Sequence, residues 1–171
     1  MRRIRKKVIP LHFAVRNRHK GTVQRLVNAK ADVNVEADFG RTPLHEASEE
    51  GFTDIMQLPV AAKAEIDVVD RFGNSPLDKA SDAGQSAAVK ALVDLKADVH
   101  AADTHGKTQL HRTVERDRKD VVQALIDAKA DMEVKDENGI TPLHLAAQSG
   151  SDRIVEMLID AKATVDVKDD R

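Results

Sequence analysis

The 171-residue chain contains no cysteine, tryptophan or tyrosine, and only four phenylalanines. Without cysteine there is neither a disulfide framework nor a thiolate metal site, which fits a reducing compartment. Without large aromatics the core has to be built from Leu, Val, Ile and Ala. No apolar run approaches the roughly 18 residues of a membrane-spanning helix. The basic start, MRRIRKKV, is not followed by an apolar segment, so it does not read as a secretory signal. It reads instead as a solvated tail over residues 1–8, with a nuclear-import or anionic-surface patch as the alternative. An excess of one charge is missing too: 27 Lys and Arg stand against 29 Asp and Glu, a formal net charge of −2. Nucleic-acid binders and disordered acidic tails have a different balance. These features lead us to expect an intracellular protein, cytoplasmic or nuclear.

What the chain has is repetition. NAKADVN, AAKAEID, DLKADVH, DAKADME and DAKATVD place a lysine at 30, 63, 96, 129 and 162, always 33 residues apart. A second phrase keeps the same interval: IPLHFA from Ile9, TPLHEA from Thr42, SPLDKA from Ser75, TQLHRT from Thr108 and TPLHLA from Thr141. A fixed period of 20 to 50 residues marks a stacked repeat architecture. The copies run at about 9–41, 42–74, 75–107, 108–140 and 141–171, and they predict one repeat domain over 9–171.

Each copy has a physical reading. Thr42, Ser75, Thr108 and Thr141 are side-chain N-caps, and Pro43, Pro76 and Pro142 follow at the first helical position, where a missing N–H costs nothing. A short helix follows, rich in small residues, and Gly51, Gly84 and Gly150 end it at a place suited to left-handed backbone. A second helix then carries apolar residues at helical spacing, for example Ile154, Val155, Leu158 and Ile159. A short extended phrase with a turn glycine (Gly40, Gly73, Gly106, Gly139) closes the unit. Neither helix pair can bury its apolar face alone, so the copies must stack.

The period together with Thr-Pro-Leu-His-x-Ala resembles the ankyrin repeat over about residues 9–171. The resemblance implies an all-α solenoid of stacked helix-turn-helix repeats with projecting β-hairpin turns. It also implies that His12, His45, His111 and His144 bond backbone within their own turns.

The departures from that pattern are informative. Lysine stands five times where the family usually has glycine. A non-glycine residue in a left-handed cap costs about 1 kcal/mol. Its charge near the negative end of a helix returns about 0.3–1 kcal/mol. A column of lysines facing an acidic strip is the functional alternative. Asp78 replaces the motif histidine, Gln109 replaces the proline, and Arg18 and Asp117 take the interhelix glycine site. Pro59 replaces a core leucine (Leu26, Leu92, Leu125 and Leu158 elsewhere) inside a second helix, at a cost of about 3 kcal/mol for the lost hydrogen bond. We therefore expect that helix, around residues 54–62, to be kinked or shortened. The final VDVKDDR stops midway through the phrase that leads into another repeat. It predicts a chain that continues, with Val155 and Ile159 uncovered otherwise.

No catalytic pattern stands out. His19, His100 and His105 are scattered without zinc-ligand spacing, and there is no phosphate-binding Gly-rich loop or nucleophile elbow. We expect no enzyme activity, cofactor, metal or small-molecule substrate. The expected function is a protein-binding scaffold acting through its concave face. The candidate residues are those of the turns, whose identities vary from copy to copy: Asp38, Phe39 and Arg41; Arg71, Phe72 and Asn74; Thr104, His105 and Lys107; Glu137, Asn138 and Ile140. Glu49, Glu50, Asp82, Glu115, Arg116 and Gln148 at the helix ends would line the inner wall. Phe39 and Phe72 are the candidate hot spots, or else clips between neighbouring turns. The alternatives are a structural spacer within a longer protein, and an anionic-surface binder using the basic start and the lysine column. Nucleic acid is not expected as a partner. The chain is read as a monomer, or as associating end to end through its last repeat.

Overall fold

The computed structural model describes residues 9–170. Backbone contacts group them into two compact units, one ending at Ala97 and one beginning at Asp98.

The first unit holds three helix pairs. They are α1 (Pro10–Arg16) with α2 (Lys20–Asn28), α3 (Pro43–Glu49) with α4 (Thr53–Ala61), and α5 (Pro76–Asp82) with α6 (Ser86–Asp94). Helix α3 packs between α1 and α5, and α4 packs on α2 and α6. Leu11, Leu44 and Leu77 from the first helices and Val23, Ile55, Met56, Val89 and Leu92 from the second form the buried layers. The second unit holds α7 (Gln109–Glu115) with α8 (Lys119–Asp127) and α9 (Pro142–Ser149) with α10 (Asp152–Asp160). Its core is Leu110, Val114, Val121, Val122, Leu125, Ile154 and Leu158. Toward the chain end, Ile159 and Val165 are exposed. Both units are all-α stacks of the repeat-solenoid class. Among the described residues the turns form no strand, only an isolated antiparallel bridge between Ala102 and Thr108.

The N-caps show how the motif works. Thr42 N–H and its hydroxyl both donate to His45 Nδ1, at 3.1 and 2.9 Å. The proton must then sit on Nε2, which donates to the carbonyl of Asn74 at 3.0 Å. His111 repeats this with Thr108 and the carbonyl of Ile140. His12 donates to the carbonyl of Arg41, but its Nδ1 is buried without a partner because Ile9 has no hydroxyl. The histidines therefore do more than brace their own turns: three of them tie one repeat to the turn 29 residues on. In the third repeat Asp78 takes over the capping, accepting from Ser75 N–H at 2.6 Å.

All five lysines lie in the left-handed region, with φ between 59° and 75°. The site that is glycine at 51, 84 and 150 is left-handed at Arg18 (φ 52°) and Asp117 (φ 51°) as well. The shortening expected at Pro59 does not occur. Helix α4 keeps nine residues, as α2, α6, α8 and α10 do, and holds Pro59 buried inside it. Packing from α2 and α6 holds the helix in register although Pro59 gives no N–H to the ladder.

Candidate functional site

Three of the turns that reach out from the stack are organised by an aspartate. In the first unit Asp70 Oδ1 accepts from the N–H of Phe72 and of Asn74, at 2.9 and 3.0 Å, and Gly73 N–H bonds the Asp70 carbonyl. The other oxygen meets Lys79 Nζ at 2.9 Å. Burial opposes ionisation of Asp70, but Lys79 and the turn N–H groups prevail and hold its carboxyl below the usual range. In the second unit Asp103 and Asp136 accept from residues two and four positions on in the same way. These aspartates are absent from the candidate set read off the sequence. The signal was there in their 33-residue recurrence just ahead of each turn.

The turn at 37–41 breaks this rule. Ala37 supplies no carboxylate, so this turn keeps only the backbone closure the other three share, Ala37 N–H to the Arg41 carbonyl at 2.8 Å. Asp38–Gly40 form a single 3₁₀ turn in which Phe39 itself is left-handed, at φ 62° and ψ 19°. Gly40 follows at φ 75°, where a Cβ would sit 3.2 Å from the Arg71 side chain. The neighbouring turn then bonds this one, Arg71 N–H donating to the Phe39 carbonyl at 2.8 Å. The result brings Phe39 and Phe72 together, their ring centroids 5.6 Å apart and tilted by 37°. They touch each other yet remain 59% and 69% exposed. Val69, one residue before the organising aspartate, is exposed as well.

The remaining candidates divide by unit. In the first, Asp38 is half-buried and Arg71 exposed, Arg41 is ion-paired with Glu49, and the Asn74 amide leans on Asp70. In the second, His105 and Glu137 pair across adjacent turns at 3.1 Å, and this bond raises the His105 pKa. Glu137 N–H also bonds the His105 carbonyl at 2.9 Å. Thr104 and Asn138 are exposed, Ile140 is half-buried, and Lys107 is held by Glu115 at 2.5 Å. The column of Arg41, Asn74, Lys107 and Ile140 is thus largely occupied in structure, its carbonyls at 41, 74 and 140 taking the histidine bonds. The column of Phe39, Phe72, His105 and Asn138 is exposed at all four positions, and Arg71, Thr104 and Glu137 beside it are exposed as well. Of the helix-end residues, Glu50, Glu115, Arg116 and Gln148 are exposed, and Glu49 and Asp82 half-buried.

A family model described as "Ankyrin repeats (3 copies)" matches residues 11–103 and again 96–169. The chain belongs to the ankyrin-repeat family. The comparison with curated proteins returned no match. Ankyrin repeats are in general protein–protein interaction modules, and the family is typically non-catalytic. Among the described residues of this ankyrin-repeat chain, no group of three or more His, Asp or Glu is placed to hold a metal ion. No described helix is long and apolar enough to cross a membrane. The position where the ankyrin pattern has glycine is here a left-handed lysine in every repeat.

Proposed function

We propose that this ankyrin-repeat chain is a non-catalytic scaffold that binds a protein partner on its turn tips and first-helix ends, with the contact centred on Phe39 and Phe72. The observation that carries this reading is the exposed aromatic pair. Two rings in this tilted contact gain about 0.5–1.5 kcal/mol from each other. Left-handed backbone at a bulky residue costs about 1–2 kcal/mol, so Phe39 gains little for the fold by pointing outward. Most of the apolar area of both rings is still wet, and it becomes favourable only when a partner covers it. Aromatic side chains beside an exposed arginine, here Arg71, match the composition of interface hot spots.

The test is to capture partners from a cell extract on the intact chain, then measure the affinity of the recovered protein for a Phe39→Ala, Phe72→Ala double variant. Loss of about 2 kcal/mol, roughly 30-fold in affinity, is expected with an unchanged circular dichroism spectrum. Undiminished affinity in a folded double variant would move the contact elsewhere or remove it. Failure to recover any specific partner would favour a spacer role.

A further inference from the structure

Away from the tips, the C-terminal ends of α2 and α4 enclose an open groove of about 620 Å³, lined by Lys30, Lys63, Gln24, Asn28, Val27 and Leu58 among others. A groove of about 470 Å³ in the second unit is its counterpart, and Lys129 and Lys162 share its lining with Asp131 and Glu133. The two differ in charge. No carboxylate lines the first groove. Two residues before each lysine the chain has Asn28, Ala61, Asp94, Asp127 and Asp160, so only Lys30 and Lys63 lack this acidic neighbour. Neither is in an ion pair among the described residues. Among the described residues of the first repeat the first acidic residue is Asp32, and residues 9–31 contain five Lys and Arg. Glu46 and Asp54 offset Arg16, Arg18 and Lys20, while Arg25, one turn ahead of Lys30, is exposed.

We infer that the α2–α4 groove is a second binding site, and that its ligand is an extended acidic peptide segment of a protein partner. The two ammonium groups supply charge that no carboxylate of the groove lining offsets, and the exposed Arg25 adds to it; Asp32 and Glu65, two residues beyond the lysines, lie outside that lining. The helix ends would oppose an anion if their carbonyls were bare, but the left-handed caps cover them. Lys30 N–H bonds the Val27 carbonyl and Ala31 N–H that of Leu26, and Lys63 and Ala64 do the same at the end of α4. Gln24 donates to Asn28 Oδ1 at 2.9 Å, which leaves the Asn28 amide N–H groups to bond a peptide carbonyl. Val27 and Leu58 are half-buried and form a floor for one aliphatic side chain. No aromatic residue lines the groove, so it offers no stacking platform for nucleic-acid bases. Neighbouring packed helices lie about 8–10 Å apart, which extended chain covers in about three residues. The matching motif is therefore acid-x-x-acid with Leu or Val between the acids.

The test uses the full chain and a fluorescein-labelled twelve-residue peptide built on Glu-Leu-Val-Glu, with fluorescence anisotropy as the readout. Binding is expected to weaken at least tenfold in a Lys30→Gly, Lys63→Gly double variant, and to stay unchanged in a Lys129→Gly, Lys162→Gly control. Glycine suits the left-handed backbone at all four positions, so loss of folding cannot mimic the effect. Raising salt from 50 to 200 mM should also weaken binding, and Phe39→Ala with Phe72→Ala should not, which keeps this site separable from the tips. Equal binding by the two lysine variants would overturn the inference. So would absence of binding at millimolar peptide, or tighter binding of a single-stranded oligonucleotide or of phosphatidylserine vesicles than of the peptide.

Discussion

Lys96 shows what one residue contributes at the end of a second helix. Its φ of 73° places a Cβ-bearing residue in the region glycine favours. The strain of about 1–2 kcal/mol exceeds the 0.3–1 kcal/mol that a cation gains near a helix C-terminus. Glycine loses more chain entropy on folding, about 0.5–1 kcal/mol, which trims the difference. Lys96→Gly should therefore raise stability by up to about 1 kcal/mol in urea unfolding. A lower midpoint would show that the ammonium does more for the fold than cap a helix. Left-handed geometry at these five sites was legible from the position of each lysine between a helix end and Ala-Asp or its variants. The left-handed Phe39 was not; it occurs in the described turn that begins on Ala37, where the equivalent positions are Asp70, Asp103 and Asp136.

At the scale of the element, α4 separates local propensity from packing. Proline deep in a helix costs about 3 kcal/mol, yet Thr53–Ala61 holds its full nine residues. Ile55, Met56 and Pro59 are all buried, so burial against α2 and α6 outweighs the missing bond to the Ile55 carbonyl. Pro59→Leu restores that bond and a larger apolar side chain, and should add about 2–3 kcal/mol, raising Tm by several degrees. An unchanged Tm would mean that the pocket is closed around proline and strains leucine by as much as the bond returns. The turns tell a similar story. Their protruding position was readable from the period, but their internal order comes from Asp70, Asp103 and Asp136, whose role needs backbone N–H groups converging on one oxygen.

For the molecule as a whole, the histidines set the response to acid. His12, His45 and His111 have pKa values pushed down by burial, only partly countered by their bonds to the carbonyls of Arg41, Asn74 and Ile140. Asp70 helps keep the His45 proton while Arg41 and Lys79 oppose it; around His111, Asp136 and Glu115 favour the proton and Lys107 opposes it. A depressed histidine pKa means that the unfolded chain binds a proton the folded chain resists. Stability should be full above about pH 6.5 and fall as the pH drops below it. Asp70 and Asp136, held below the usual carboxylate range, add a further loss at lower pH, beginning near 4. Thermal melts between pH 8 and 5 should show the first decline, and His45→Gln with His111→Gln should flatten it. A decline of the same size in the double variant would rule these histidines out as its source.

The period, the helix pairs, the caps and the family are legible in the residue order alone, because these depend on short-range chemistry repeated at a constant interval. Within each unit equivalent helices face equivalent neighbours, which keeps Leu11, Leu44, Leu77 and Leu110 buried leucines and makes the repeat visible in the sequence, where Leu143 recurs at the same interval. It is folding that carries the motif histidines to carbonyls 29 residues on, lets α4 tolerate proline, and brings Phe39 to Phe72 while glutamates take up Arg41 and Lys107. Those outcomes depend on which groups from different repeats arrive within a few ångströms of each other. A one-dimensional period carries the spacing of residues along the chain but not the direction of a side chain across it.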